Sequence, residues 1–240
     1  MIRITFLGTS HGVPEKDRFC SSTLIEIGDD RYLVDMGGPV TENLIRRDIP
    51  LETLKAVFIT HPHGDHTNGL IPFADLLSWY FLKPDPLLLL PEQALADALS
   101  GWVKLVSGND MRLRTKIVSE GEVYDDGVLK ASAIATQHCR SSYAYMLEAE
   151  GKRLVFTGDL AGPDKDFPAV CFDTPCDLIV CEAAHFPTTA AADTFERARP
   201  GRVIINHINP ALNLGNIEKV RAGAKSYRLD AAYDGMTVEL

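Results

Sequence analysis

The sequence predicts a mixed fold, α/β or α+β, and three observations support it. Strand-like apolar runs open the chain and return near its middle, and each set gives way to segments alternating between strand and helix patterns. No repeat, linker or low-complexity stretch divides the 240 residues. Residues 1–240 therefore read as a single domain, and at 45% hydrophobic and 24% charged the chain is long enough for a well-buried core.

In order, strands are predicted over 2–8, 22–28 and 31–36, with Gly28-Asp29-Asp30 as a hairpin turn. A helix over 40–48 precedes the apolar strand Ala56-Val57-Phe58-Ile59. One long helix is expected from Asp65 to about Leu82, carried by Leu70, Ile71, Phe73, Leu76 and Leu77. The run Leu87-Leu88-Leu89-Leu90 follows, then a helix after Pro91 that includes Trp102. The second half reads as strands over 112–118, 128–136, 142–149 and 152–157, a helix over 164–170, a strand over 178–181, a helix over 190–198 and a strand over 202–206.

Chemistry concentrates where the strand at 56–59 ends. Thr60-His61-Pro62-His63-Gly64-Asp65-His66 places three of the seven histidines beside an aspartate. Imidazole and carboxylate delivered to one point suit a metal, zinc or iron by nitrogen donors, with carboxylate able to join two ions. His61 and His63 are two apart and point the same way on an extended segment; Asp65 and His66 follow a glycine and open a helix. Two ligand pairs leaving at different angles fit a two-metal site better than one tetrahedral ion.

This pattern resembles the metallo-β-lactamase superfamily, whose first metal motif is His-x-His-x-Asp-His. The resemblance implies a four-layer αββα sandwich and further ligands in order, each at the carboxyl end of an apolar strand: His138, then Asp159 in Leu154-Val155-Phe156-Thr157-Gly158-Asp159, then His207 ending Val203-Ile204-Ile205-Asn206-His207. It implies two divalent ions, zinc first on ligand type with manganese or iron accommodated. One would be held by His61, His63 and His138, the other by Asp65, His66 and His207, with Asp159 bridging.

The amino terminus is similar to ribonuclease Z and its small phosphodiesterase relatives: Gly8-Thr9-Ser10-His11-Gly12-Val13-Pro14, then Arg18, Ser21-Ser22 and Leu33-Val34-Asp35-Met36-Gly37. The glycine bend could expose backbone N–H groups to an anion, and Arg18 could add a phosphate contact. In that group a glutamate and a histidine orient a proton donor for the leaving oxygen. Glu182 and His185, spaced i and i+3, match them, and Asp65 would be both ligand and base toward the attacking water. The implied activity is a phosphodiesterase on a small, even cyclic, diester, using a hydroxide held between the ions.

The chain also departs from that group. The long RNA-gripping arm of ribonuclease Z lies between the third and fourth motifs, but here His138 and Asp159 are 21 positions apart. A net charge of −9 without any basic run further argues against transfer RNA as substrate. Two other readings stay open: a lactone or thioester hydrolase recruiting Tyr143 or Tyr145 as oxyanion donor, and an RNA endonuclease of ribonuclease Z type. Met1 leads directly into the first strand and no apolar run approaches about 18 residues, so a cytoplasmic protein without a membrane anchor is expected. Five cysteines at irregular positions suit reduced thiols. Cys171, Cys176 and Cys181 are spaced by five and read either as packed thiols or as a small extra metal site. The resembling families imply a homodimer.

Overall fold

The computed structural model describes residues 1–213 and 215–240. Strands β1 (Ile2–Gly8), β2 (Ser22–Ile27), β3 (Asp30–Val34), β4 (Leu54–Phe58), β5 (Leu87–Leu90) and β6 (Arg114–Ile117) form one sheet. Strands β7 (Gly121–Asp125), β8 (Lys130–Ala135), β9 (Tyr143–Ala149), β10 (Lys152–Phe156), β11 (Leu178–Ala183), β12 (Arg202–Ile208) and β13 (Arg228–Ala231) form the other, and β14 (Thr237–Glu239) returns to the first beside β1. The sheet orders are β14-β1-β2-β3-β4-β5-β6 and β13-β12-β11-β10-β9-β8-β7. In each, an antiparallel meander passes into a parallel half, at β3–β4 and at β10–β11.

Alternation along the strands makes the layers. On β1, Ile2, Ile4 and Phe6 enter the core between the sheets while Leu7 faces outward; on β4, Ala56 and Phe58 face in and Val57 out; on β12, Ile204 faces in while Val203 and Ile205 face out. The first sheet's outer face is covered by α1 (Val40–Arg46), α3 (Leu70–Trp79) and α4 (Gln93–Ser107), through Val40, Leu44, Phe73, Leu77, Leu99 and Val103. The second sheet's outer face packs on α5 (Val170–Asp173), α6 (Ala192–Ala198) and α8 (Asn216–Gly223) through Cys171, Phe195, Ile217 and Val220. Three apolar layers between four structural layers make the αββα sandwich.

Some expectations need correction. The long helix from Asp65 is two helices, α2 (Gly64–Thr67) and α3, broken at Gly69. A Cβ at Gly69 would lie 2.4 Å from the Gly38 carbonyl oxygen, so the backbones touch there and the chain must turn to clear them. No helix spans 164–170. Asp166 instead accepts the N–H groups of Gln137, Ala161 and Gly162, which fastens a loop, and the helix is the single turn α5 beyond Pro168. The short strands β7, β13 and β14 and the helices α7 (Pro210–Asn213) and α8 lie outside the predicted elements. Among the described residues no helix is long and apolar enough to cross a membrane.

Candidate metal centre

Four strand ends converge at one edge of the sandwich. β4 runs out into extended backbone through His63 (φ −61°, ψ 147°), and Gly64 starts α2, so Asp65 and His66 sit in a helical turn. The loop after β3 is pinned against α2: Met36 N–H donates to the His66 carbonyl at 2.8 Å, and a Cβ on Gly37 would lie 1.6 Å from the Asp65 carbonyl oxygen. Only glycine lets that loop brace Asp65. Gly158, at φ 58°, ends β10 in a left-handed turn that directs Asp159 inward. His207 is a bulge residue: β11 pairs Glu182 with Asn206 and Ala183 with Ile208, leaving His207 between them at φ 49°.

All seven ligand-type residues expected from the sequence come together in two groups. His61 Nε2 lies 3.0 Å from His63 Nδ1, His138 Nε2 lies 3.2 Å from the same atom, and Asp159 Oδ2 is 3.5 Å from His61 Nε2. In the second group His66 Nε2 is 3.4 Å from Asp65 Oδ2, and His207 Nε2 is 3.6 Å from that oxygen. Asp159 stands between the groups, with Oδ1 3.4 Å from His66 Nε2 and Oδ2 3.4 Å from His207 Nε2. Within each group the donor atoms lie within 4.8 Å of one another, so each could hold an ion.

The donor set fits cations on independent grounds. His66 Nε2 and Asp159 Oδ1 are buried without a hydrogen-bond partner, a costly arrangement that a cation would relieve. Burial drives His61 down to about 2, leaving a neutral imidazole of the kind that coordinates metal. For His66 burial opposes the charged form, but Asp159 and Asp35 outweigh it and raise its pKa well above the ordinary histidine value. Asp159 is the reverse case: burial raises its pKa, yet His66 and His207 hold it well below the usual carboxylate range. Asp65 is likewise brought to about 2 by His66 and His207 against desolvation.

Carboxylates and hydroxyls orient the imidazoles. Asp35, held at φ 62°, places Oδ2 2.8 Å from His66 Nδ1 and accepts from Thr60 N and Oγ1, while Thr60 Oγ1 lies 3.0 Å from His61 Nδ1. Ser21 Oγ lies 2.7 Å from His207 Nδ1. From the sequence, Asp35 is matched only as part of the ribonuclease Z-like amino terminus, and neither it nor Thr60 carries an expected role toward the imidazoles. The signal that could have found Asp35 is its place at a strand end, where an inward carboxylate needs a partner.

Glu182 and His185 are also brought to the centre. The buried Glu182 carboxylate accepts the N–H groups of Leu160, Ala184 and His185 and lies 2.9 Å from His185 Nδ1. His185 is partly exposed, its ring centroid 4.6 Å from that of His138 and its Nδ1 3.8 Å from Asp159 Oδ2. The hydrogen bond to Glu182 raises its pKa against the cost of burial. Tyr143 and Tyr145, considered as oxyanion donors, point elsewhere: Tyr145 is fully buried and donates to the Ile59 carbonyl at 3.0 Å, Tyr143 to that of Val118 at 3.3 Å. Arg18 lines neither the centre nor the cleft beside Asp65. Cys171, Cys176 and Cys181 pack in the apolar layer outside the second sheet.

Comparison with known proteins gives the family and the fold. A family described as anti-Pycsar protein Apyc1 matches residues 2–193. Ribonuclease Z of Mycobacterium bovis (strain BCG / Pasteur 1173P2) is 26% identical over 281 aligned positions, covering 100% of this chain and 99% of that protein. The fold is that of the metallo-β-lactamase fold protein YhfI from Bacillus subtilis (TM-score 0.79, 19% identity, 100% of both chains) and of a diphosphatase from the PhnP family (TM-score 0.73, 16% identity, 100% and 98%).

Proposed function

The chain belongs to the family of the anti-Pycsar protein Apyc1, a metal-dependent hydrolase of metallo-β-lactamase fold, and from that premise we propose that it cleaves a small, cyclic phosphodiester such as a cyclic nucleotide or sugar phosphate. The observation that carries this reading is the Glu182–His185 pair set against the His/Asp centre. We assign His61, His63, His138 and Asp159 to one divalent ion and Asp65, His66, His207 and Asp159 to a second, zinc being the first expectation with manganese or iron also suited. When bound, the ions would activate water at neutral pH and neutralise phosphoryl oxygens.

The remaining work falls to side chains. Asp65, ionised at neutral pH, is placed to accept a proton from the attacking water. Glu182 holds the proton of His185 on Nδ1, and its three backbone donors fix the carboxylate, so the ring is oriented before substrate arrives. Protonated His185 then gives a proton to the departing alkoxide, a step worth about 10²–10⁴-fold. A carboxyl ester would call instead for an oxyanion donor, and neither Tyr143 nor Tyr145 faces the centre.

Two features favour a small substrate. The interval between His138 and Asp159 is filled by the β9–β10 hairpin, which leaves no arm there. Beside Asp65 lies a cleft of about 360 Å³, lined by Pro14, Phe19, Glu42, Asn68 and Pro72, a size suited to one organic group. The ribonuclease Z relatives favour the second reading, an RNA endonuclease. Metal-loaded protein tested against a cyclic nucleotide, bis(p-nitrophenyl) phosphate, a lactone, a thioester and a 3′-extended transfer-RNA precursor separates these. We expect turnover of the diesters, whereas efficient trimming of the precursor, or preference for lactone or thioester, overturns the assignment. We also expect a homodimer, which light scattering of the purified protein checks, and a cytoplasmic location, which cell fractionation checks.

A further inference from the structure

The core between the sheets changes character at its upper end. Lower down it is filled by Phe6, Ile25 and Ile204, but beneath the His/Asp centre Ser21, Thr23, Glu182 and Asn206 surround about 30 Å³ of space, room for one or two waters. Each imidazole held through Nδ1 has its hydrogen-bond chain to follow. Those of His66 and His185 end directly on Asp35 and Glu182, and that of His61 passes through Thr60 to Asp35. The chain from His207 stops at a hydroxyl: Ser21 Oγ meets His207 Nδ1 and, among the described residues, no other side chain or backbone group.

With an ion held at Nε2 beside Asp65 and Asp159, His207 would carry its proton on Nδ1 and donate it to Ser21 Oγ, so the Ser21 hydroxyl proton would need an acceptor of its own. On the same small cavity lies an orphan acceptor. Asn206 is 8% exposed, and its Oδ1 is buried without a partner. No direct bond joins the two side chains. His207 itself sits in a left-handed conformation that non-glycine residues adopt only when their surroundings impose it.

We propose that Ser21 and Asn206 are positioning residues of the metal centre, acting through a buried water that accepts the Ser21 hydroxyl proton and donates to Asn206 Oδ1. The relay fixes the His207 tautomer and holds Nε2 toward the ion shared with Asp65 and His66. This rests on the two-ion reading above.

Chelator competition for zinc, read alongside melting of the metal-free proteins, tests it in the full chain. Ser21→Ala should weaken one ion of the two by about 10–100-fold and leave the other unchanged. Asn206→Leu should weaken the same ion, the double variant should lose no more than Ser21→Ala alone, and Ser21→Thr should keep wild-type affinity. Metal-free melting should fall no further than one lost buried hydrogen bond accounts for, and only together with the selective loss of that ion. Unaltered zinc affinity in Ser21→Ala, equal weakening of both ions, additive losses, or a fall in metal-free melting without a selective loss overturns the proposal. Wild-type protein binding fewer than two ions sinks the two-ion reading instead. A high-resolution crystal structure then decides the relay by itself: water density between Ser21 and Asn206 supports it, and a dry cavity rejects it.

Discussion

Asp159 stands between both groups of imidazoles, with one oxygen lacking a hydrogen bond. Its removal would leave two cations facing each other with less charge compensation, so Asp159→Ala should lose at least one ion by elemental analysis. Retention of both at wild-type affinity would contradict its place between them. His185 makes the opposite case. His185→Ala should keep both ions and lose roughly 10²-fold or more on a diester with a poor leaving group, with a smaller loss on p-nitrophenyl esters. Equal losses on both leaving groups would move His185 to a binding role. These residues were legible because histidine and aspartate at short fixed spacing have few other uses. The roles of Ser21, Thr60 and Asn206 were not, since a small polar residue near a strand end looks the same whether it faces solvent or an imidazole.

The mostly buried strand β1 was read to its bounds and β12 to within two residues, because continuous apolar runs leave little alternative. The exposed edge strand β7 escaped, its sequence being mostly polar. The break between α2 and α3 escaped for a geometric reason: helical periodicity continues across the two residues Asn68 and Gly69, and the contact of Gly69 with Gly38 is not visible along the chain. The two sheets are also tied by the turn after β7. Asp126 accepts from Tyr32 of β3 at 2.7 Å, Tyr124 at 2.9 Å and the N–H groups of Val128 and Leu129. Burial works against its charge, but these bonds hold its pKa below the ordinary aspartate value. The stabilisation is therefore fully present above about pH 3.9 and lost as pH falls through the lower folded value. Asp126→Ala, which strands the buried Tyr32 hydroxyl, should cost about 1–3 kcal/mol at pH 7 in denaturant unfolding. The gap from wild type should narrow in strong acid; a gap independent of pH would remove the carboxylate from the account.

At the scale of the molecule, the centre exists only where the two sheets meet. The first sheet supplies Asp35 and the loop from His61 to His66, and the second supplies His138, Asp159, His185 and His207. The repeated order of strands and then alternating strand and helix was legible from pattern alone, but the closing of one half on the other was not, because β14 crosses back to β1 from the far end of the chain. His207 also lies beyond the matched segment 2–193 and reaches the centre through the β12 bulge. The central claim is a two-ion centre that turns over a small phosphodiester, and stepwise metal addition to chelator-stripped protein tests it most directly. Two ions per chain should bind, with hydrolysis of a cyclic nucleotide rising as the second fills. Saturation at one ion per chain, or full hydrolysis with none, would contradict it.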